Sequence, residues 1–295
     1  MKKNFIIKDE FSGSRVDRWF RRNISDIPQS LIEKLLRKGK IRINKKKIKS
    51  SYKLELNDIV FVNNLNLQPN IKNKSQNKYI ANKKELTFLS KIFIENNDNF
   101  VVINKPAGLA VQAGTKSRKN LIDLLRKTNE FQNINPYPVH RIDKDTTGLL
   151  IVAKNRKYAQ LFTSLFRIRK IHKTYLGIII GALPNRKGTF IDELHYHEGK
   201  NTIKSKAITH YTVLDNNNSY SLLKLNPETG RKHQLRKQLL IHGIPILGDS
   251  KYRLSKKRSE KKNSLMLHAY KINFSIDGIK YKYSAELPLA FKKIL

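Results

Sequence analysis

The pattern of apolar and polar positions predicts two folded units joined by a polar stretch. Between residues 15 and 53, apolar residues recur twice at helical spacing and then alternate, which predicts two short helices followed by a strand. Residues 63–86 contain few apolar side chains, and such a stretch cannot bury enough surface to fold by itself. The predicted organisation is therefore a small unit over 1–62, a linker over 63–86 and a large unit over 87–295.

In the small unit, capping and breaking residues place the predicted helices. Ser14 can cap the first helix, Pro28 opens the second, and Gly39 closes it. Residues 40–44 then alternate as a strand and run into a turn of three lysines at 45–47. The small unit is thus expected to be a compact, basic α+β unit.

Short apolar runs predict the strands of the large unit. They span residues 88–95, 100–104, 149–153, 173–180, 207–213 and 220–225. Helices are expected from Asn120, behind Asn155 and behind Thr229, and the last of them ends at Gly243. Asp277 and Gly278 between two apolar runs predict a β-hairpin. The polar residues 185–200 are expected to form an excursion between strands.

Composition limits the chemistry and the partners. The chain has no cysteine, which excludes disulfides, thiolate metal sites and a cysteine nucleophile. Neither a signal-like apolar start nor a bilayer-spanning apolar run is present in the sequence, so a soluble, cytoplasmic protein without a membrane partner is expected. The formal net charge is +37, and a polyanion such as nucleic acid would relieve the self-repulsion. The lysine-rich usage of an A/T-rich genome is an alternative source of part of this charge.

The stretch most suited to chemistry is residues 140–148, which read His-Arg-Ile-Asp-Lys-Asp-Thr-Thr-Gly and lead directly into the apolar run 149–153. This loop carries two carboxylates, three basic groups and two hydroxyls beside the predicted core. Such a density is costly unless the charges are paired or take part in a reaction. Taken alone, the composition is also that of a solvated turn.

The loop resembles the signature of the RluA family of RNA pseudouridine synthases. The match is His-Arg-x-Asp followed by Thr-Thr-Gly-Leu-Leu, with Ile142 where Leu is usual and Thr147 where Ser is usual. Residues 104–111, 229–236, 243–249 and 265–269 are also similar to family motifs, and residues 111–114 are closer to the RluC-like branch. The resemblance covers about residues 88 to 290. It implies an α+β fold with a cleft and a mixed, mostly antiparallel sheet.

The resemblance also implies roles for individual residues. Asp143 is the expected catalytic residue, Arg236 pairs with its carboxylate, and Tyr175 faces it. Arg141 fills the stack that a flipped nucleotide leaves, and Leu235 packs against the target base. The expected substrate-binding residues are Arg141, Leu235, His140 and Lys105. Breaking the C1′–N1 bond and rejoining the base through C5 needs an ionised carboxylate, as nucleophile or as base, but no metal and no cofactor.

The small unit resembles the S4 RNA-binding domain. The similarity lies in Ser-Arg-Val-Asp at 14–17 and Gly-Lys-Ile-Arg-Ile-Asn at 39–44. That family usually turns on Asn-Gly, whereas this chain has Asn44 followed by Lys45. A helical hairpin with a solvated basic face is the alternative. The expected RNA-binding residues are Arg15, Arg18, Lys34, Arg37, Lys38, Lys40, Arg42, Lys45, Lys46 and Lys47.

The expected function is an RNA pseudouridine synthase that acts as a monomer on uridines of large-subunit ribosomal RNA. Two alternatives come from other classes: a noncatalytic RNA-binding ribosome-assembly factor, and a glycosidase that uses Asp143 with Asp145. From residue types alone, Tyr175 is equally a core aromatic. His195 and His197 would share a strand face, but a third ligand is not adjacent in the sequence, so no metal site is expected.

Overall fold

The computed structural model describes residues 2–25, 27–63, 87, 89–112, 119–132, 134–198, 201–217, 219–254 and 264–294. The chain divides into two compact units, residues 1–78 and 79–295. Most of the predicted linker, from residue 64 to 86, lies outside the described residues. Within the described part of the chain, no helix is long and apolar enough to cross a membrane.

The small unit packs two helices against a three-stranded antiparallel sheet of order β1-β3-β2. Trp19 and Phe20 of the first helix and Ile32 and Leu36 of the second face the sheet, where Val60 completes a buried cluster. Helical spacing of these side chains therefore accounts for the fold. The elements are β1 (Lys2–Ile6), α1 (Val16–Asn23), α2 (Gln29–Arg37), β2 (Ile41–Ile43) and β3 (Ile59–Asn63).

The helix ends of the small unit only partly match the sequence prediction. Pro28 is the N-cap of α2, and Gly39 follows its end with φ +68°, as expected. The cap predicted at Ser14 is wrong, because Arg15 holds the N-cap position of α1. The amide of the next residue, Val16, donates to the carbonyl of Tyr52, so the start of α1 is tied to the chain that returns from β2.

The large unit is built on a ten-stranded sheet with the central order β4-β5-β7-β12-β8-β11-β10-β9, with β6 added to β7 and β13 to β12. β7 and β12 run parallel, and the other paired strands are antiparallel. The strands are β4 (Phe93–Asn96), β5 (Phe100–Lys105), β6 (Tyr137–Pro138), β7 (Thr147–Ala153), β8 (His172–Ile180), β9 (Lys187–Glu198), β10 (Asn201–Asn216), β11 (Tyr220–Pro227), β12 (Leu267–Ile276) and β13 (Ile279–Ser284).

Helices cover the sheet and close its apolar clusters. They are α3 (Leu121–Leu125), α4 (Arg156–Arg167), α5 (Gln234–Ile241) and α6 (Leu289–Lys292). The Asn120 side chain accepts the amide of Asp123 at the start of α3, and Asn155 accepts that of Tyr158 at the start of α4. Phe162 of α4 is fully buried against β5 and β7, whereas Leu239 of α5 packs in a second cluster beside β8 and β11. The predicted α+β class with a mostly antiparallel sheet is confirmed.

Three local predictions for the large unit are wrong. The predicted strand over 88–95 begins only at Phe93, because Leu89 and Ile92 are buried three residues apart in a helical turn. The polar residues 187–198 form β9, which pairs along its length with β10 and needs apolar residues on one face only. The helix predicted behind Thr229 starts at Gln234. By contrast, Asp277 and Gly278 make the predicted hairpin turn, with φ +51° and +78°.

Candidate active site

A cavity of about 560 Å³ opens where the loop 139–146 meets the centre of the sheet. Its other walls come from the C-terminal half of α4, β8, the segment 227–236 and Leu267. Gly148 makes this arrangement possible: it has φ +105°, and a Cβ there would overlap the backbone carbonyl oxygen of Ala269 on β12. The close pairing of β7 with β12 therefore holds the loop that carries Asp143 at the cavity wall.

Arg236 connects two carboxylates across this cavity. Its Nη1 atom donates to Asp143 Oδ2 at 3.1 Å, while Nε and Nη2 donate to the two oxygens of Asp249 at 2.7 and 2.8 Å. Burial of Asp249 opposes its ionisation, but the bonds from Arg236 and from the amides of Lys251 and Tyr252 outweigh this and lower the pKa of Asp249. Asp249 thus fixes the guanidinium whose remaining nitrogen, Nη1, reaches Asp143.

His233 approaches the second oxygen of the same carboxylate. Its Nε2 lies 3.6 Å from Asp143 Oδ1, and its Nδ1 lies 2.8 Å from the hydroxyl of Tyr252. The residue is the N-cap of α5 and has φ +54°. Burial lowers the pKa of His233, although Asp143 acts in the opposite direction. Asp143 therefore lies between a guanidinium and an imidazole.

Tyr175 and Leu235 supply an apolar part of the cavity wall. Tyr175 lies on β8 and packs against buried clusters on both sides, and Leu235 is the second residue of α5 with only 7% of its surface exposed. Burial, with a smaller effect of Asp143, raises the pKa of Tyr175, so the phenol is protonated at neutral pH. The structure brings both side chains to the cavity that contains Asp143.

His140 and Arg141 begin the loop and also line the cavity. His140 Nε2 accepts a hydrogen bond of 2.8 Å from the amide of Ile151, and its ring packs on Phe166 with centroids 4.5 Å apart. Burial lowers the pKa of His140 to about 3, so the ring is neutral at physiological pH. His140 consequently anchors the loop to β7, whereas Arg141 is exposed at the rim.

Lys105, which is predicted to bind substrate, lies behind the cavity wall and bonds to the protein backbone. Its side chain is fully buried, and the ammonium donates to the carbonyl oxygens of Pro106, Leu109 and Lys144 at 2.8 to 3.0 Å. These three acceptors use all three donors of the ammonium. Lys105 therefore holds the loop next to Asp143 in place through the carbonyl oxygen of Lys144.

Comparison with known proteins decides the family. A family model described as RNA pseudouridylate synthase matches residues 99–240, and an S4 domain model matches residues 27–60. The chain is 32% identical over 308 residues to the ribosomal large subunit pseudouridine synthase C of Buchnera aphidicola subsp. Baizongia pistaciae. The alignment covers 98% of this chain and 95% of that protein. The chain belongs to the RNA pseudouridylate synthase family.

Further relatives agree with this membership. The protein of the same name from Rickettsia conorii is 33% identical over 298 residues, covering 96% of this chain and 97% of that protein. The solved structure of human RNA pseudouridylate synthase domain containing 4 superposes with a TM-score of 0.60 at 26% identity, over 71% of this chain and 93% of that one. As a pseudouridylate synthase, the chain is an isomerase that acts on RNA, and the predicted resemblance is confirmed.

The S4 part of this pseudouridylate synthase presents most of its predicted RNA-binding cations to solvent. Two of the ten are engaged within the protein: Arg15 Nη2 pairs with the buried Asp17 at 2.6 Å, and Arg42 Nε donates to Gly39 O at 3.0 Å. These two bonds connect cationic side chains to the helix ends. The remaining cations are exposed; they are Arg18, Lys34, Arg37, Lys38, Lys40, Lys45, Lys46 and Lys47.

The turn that departs from the usual Asn-Gly pair keeps the geometry of that pair. Asn44 and Lys45 have φ +47° and +65°, and Ile43 and Lys46 bridge across them. Asn44 holds the turn to the sheet, because its side chain donates to Asp58 Oδ1 at 2.7 Å and accepts the amide of Ile59 at 2.8 Å. Lys45 thus occupies a left-handed position at the exposed tip.

Sequence reasoning missed several residues around Asp143. Asp249, Tyr252 and His233 complete its surroundings, and Lys173, two residues before Tyr175 on β8, lines the same cavity. His233 and Asp249 lie inside family-like segments, so motif membership was the available signal. Among the described residues, no group of three or more potential metal ligands lies together. His195 is exposed, and the side chain of His197 lies outside the described part of the chain.

Proposed function

We propose that this pseudouridylate synthase converts uridines of large-subunit ribosomal RNA to pseudouridine, with Asp143 as the catalytic residue and without a cofactor. The names of the relatives from Buchnera and Rickettsia support the substrate. The observation that carries the catalytic role is the ion pair between Asp143 and the buried Arg236 inside a cavity whose volume is typical of small-ligand sites.

The proposed reaction needs a negative charge beside the ribose. The C1′–N1 bond of uridine breaks, the uracil turns, C5 forms a new bond to C1′, and the C5 proton is exchanged for a proton on N1. Asp143 either attacks C1′ as a nucleophile or removes a proton from the ribose. In both routes the carboxylate is regenerated, so atoms and charge balance without a redox partner or water.

Arg236 keeps this carboxylate in place. Two nitrogens of its guanidinium are already held by Asp249, so Nη1 is presented to Asp143 without further ordering of the side chain. A mobile cation could pair with phosphate instead of with Asp143. The preorganised fork therefore reserves the guanidinium for the catalytic group.

Tyr175 and Leu235 hold the uracil in this proposal. The flat phenol ring and the leucine side chain line the cavity next to Asp143, where a base would be covered after it has left the RNA stack. Because the phenol is protonated at neutral pH, it can accept the C5 proton only if its own proton leaves at the same time. Tyr175 thus acts first as a platform for the base.

RNA must open for this chemistry, since a stacked base cannot reach the cavity. Flipping a nucleotide costs a few kcal/mol. Arg141 is exposed at the cavity rim, where a planar guanidinium can occupy the vacated stack. The exposed cations of the S4 domain supply affinity through phosphate contacts that carry no sequence information.

The catalytic assignment is tested with Asp143→Asn. This substitution keeps the shape of the side chain but removes its charge, so tritium release from C5-labelled uridine in RNA should fall to background while RNA binding persists. Asp145→Asn, two residues along the same loop, is the matched control and should retain turnover. Retained turnover in Asp143→Asn would refute the assignment.

The substrate is tested by mapping pseudouridines in cells with and without the protein. Positions in large-subunit ribosomal RNA should lose the modification, whereas small-subunit ribosomal RNA should keep its own. Unmodified transcripts of both RNAs, incubated with the purified chain, separate a direct effect from an indirect one. Modification of the small-subunit transcript alone would contradict the proposed substrate.

A further inference from the structure

The backbone of His233 is unusual for a residue with a side chain. At the N-cap of α5 it has φ +54° and ψ +32°, in the left-handed region that glycine adopts readily and other residues seldom do. Strained positions of this kind persist where the surrounding structure requires the side chain, and they concentrate at functional sites. The position of the imidazole should therefore explain why the chain retains a histidine here.

Both ring nitrogens of His233 face polar groups. Nε2 lies 3.6 Å from Asp143 Oδ1, and Nδ1 lies 2.8 Å from Tyr252 Oη. Asp143 Oδ2 meanwhile accepts the bond from Arg236. The two oxygens of the carboxylate thus have different neighbours, a guanidinium on one and an imidazole on the other.

Tyr252 is itself held by the groups that hold Arg236. Its amide donates to Asp249 Oδ1 at 2.8 Å, and the Arg236 guanidinium lies 5.1 Å from the centre of its ring. The His233 ring meets the tyrosine ring edge-on with centroids 5.5 Å apart. Asp143, Arg236, Asp249, Tyr252 and His233 therefore form one closed ring of contacts.

The hydroxyl of Tyr252 lies within hydrogen-bond distance of His233 Nδ1 and can donate to it. Burial, Arg236 and two neighbouring lysines lower the pKa of His233, whereas Asp143 raises it, so the ring is neutral and has one donor and one acceptor nitrogen. If Tyr252 donates to Nδ1, the proton of His233 is on Nε2 and points at Asp143. The other tautomer would direct a lone pair at the carboxylate, which is unfavourable.

We propose that His233 and Tyr252 are a positioning pair, in which Tyr252 sets the tautomer of His233 and His233 orients Asp143 through a second donor on Oδ1. The inference rests on the proposed catalytic role of Asp143. At 3.6 Å the contact is longer than a hydrogen bond, and we expect it to shorten when a uridine fills the cavity. With both oxygens held, the carboxylate cannot rotate away from the ribose.

His233→Gly is the first test because glycine tolerates the backbone conformation at this position. The variant should fold at least as well as the parent, keep its KM for RNA, and lose about tenfold or more in kcat, as expected for a lost bond to a charged group. Added imidazole should restore part of the turnover. A merely structural role would give no rescue.

Asp277→Gly is the matched control, since Asp277 also has a left-handed backbone, with φ +51°, at the exposed β12–β13 turn. It should leave kcat unchanged with and without imidazole. Tyr252→Phe is the second test, because it removes only the hydroxyl and keeps the ring beside Arg236. Its loss in kcat should not add to that of His233→Gly in the double variant, since both changes break one unit.

Parent-like turnover in His233→Gly, or fully additive losses in the double variant, would overturn the positioning pair. Asp143→Asn separates this failure from failure of the proposed function. If Asp143→Asn is inactive while His233→Gly is fully active, only the pair is wrong. If Asp143→Asn remains active, the catalytic assignment itself falls.

Discussion

Replacing Arg236 by methionine should leave the buried charge of Asp249 without its cationic partner and destabilise the large unit. The Arg236 side chain is 7% exposed and that of Asp249 is 0% exposed, and the two share bonds of 2.7 and 2.8 Å. Removing one partner of such a pair costs about 3–5 kcal/mol. Asp249 keeps two bonds from the backbone amides of Lys251 and Tyr252, so we expect a loss of ~3 kcal/mol, the lower end of that range.

A second substitution should separate stability from catalysis. In Arg236→Met/Asp249→Asn the unpaired charge of Asp249 is gone, so most of the lost stability should return. Turnover should stay absent, because Asp143 still lacks the guanidinium of Arg236. Lowering the pH should also rescue the single variant. Without Arg236, only the two backbone amides offset the burial that raises the pKa of Asp249, so protonation at low pH removes the unpaired charge.

Urea unfolding of the full chain measures these effects in each unit separately. The only tryptophan, Trp19, is buried in the small unit, so its fluorescence should be unchanged by substitutions at Arg236, while far-UV circular dichroism follows the whole chain. Lys237→Met is the control on the same helix and should cost ~1 kcal/mol or less, since its ammonium bonds a single exposed carbonyl. A loss below ~1 kcal/mol in Arg236→Met, or no recovery in the double variant, would refute the reasoning.

Three further predictions concern other parts of the chain. Burial lowers the pKa of His268 to about 4, so the unfolded chain binds more protons than the folded one between pH 4 and 6.5. The free energy of unfolding therefore falls as the pH falls through this window, by ~2 kcal/mol from pH 6.5 to 5. In urea unfolding at several pH values, His268→Gln should show a smaller change of this free energy with pH. Lys45→Gly should raise the stability of the small unit by ~1 kcal/mol in unfolding followed by tryptophan fluorescence, because glycine tolerates the left-handed backbone. It should also lower the slope of log K for RNA binding against log salt concentration by about 0.7 to 0.9. Asn57→Gly, at another left-handed position, should leave this slope unchanged. Gly148→Ala should cost ~3 kcal/mol or more in urea unfolding, against ~1 kcal/mol for Gly278→Ala, where the added Cβ meets open space.

Local patterns in the sequence determined the elements whose interactions are themselves local. Asn120 and Asn155 cap the helices that follow them, and Asp277 with Gly278 makes the hairpin turn. These structures depend on contacts within about four residues, so residue type at close spacing is sufficient to predict them. The motif around Asp143 also pointed to the family, because its residue types are specific in combination.

Tertiary structure decided which charges are paired and which polar segments pair as strands of the sheet. Arg236 and Asp143 are 93 positions apart, and Lys105 reaches the carbonyl of Lys144 across 39 positions. β9 reads as a polar excursion because only one of its faces is covered. Such contacts depend on how the sheet brings distant segments together, and spacing along the chain does not report that.

The sequence by itself therefore determined the family, the fold class and the identity of the acidic residue at the cavity. Only the tertiary structure decided that Asp249, Tyr252 and His233 surround this residue and that Lys105 supports its loop. The physical reason is that burial sets the cost of an unpaired charge, and burial is a property of the packed chain.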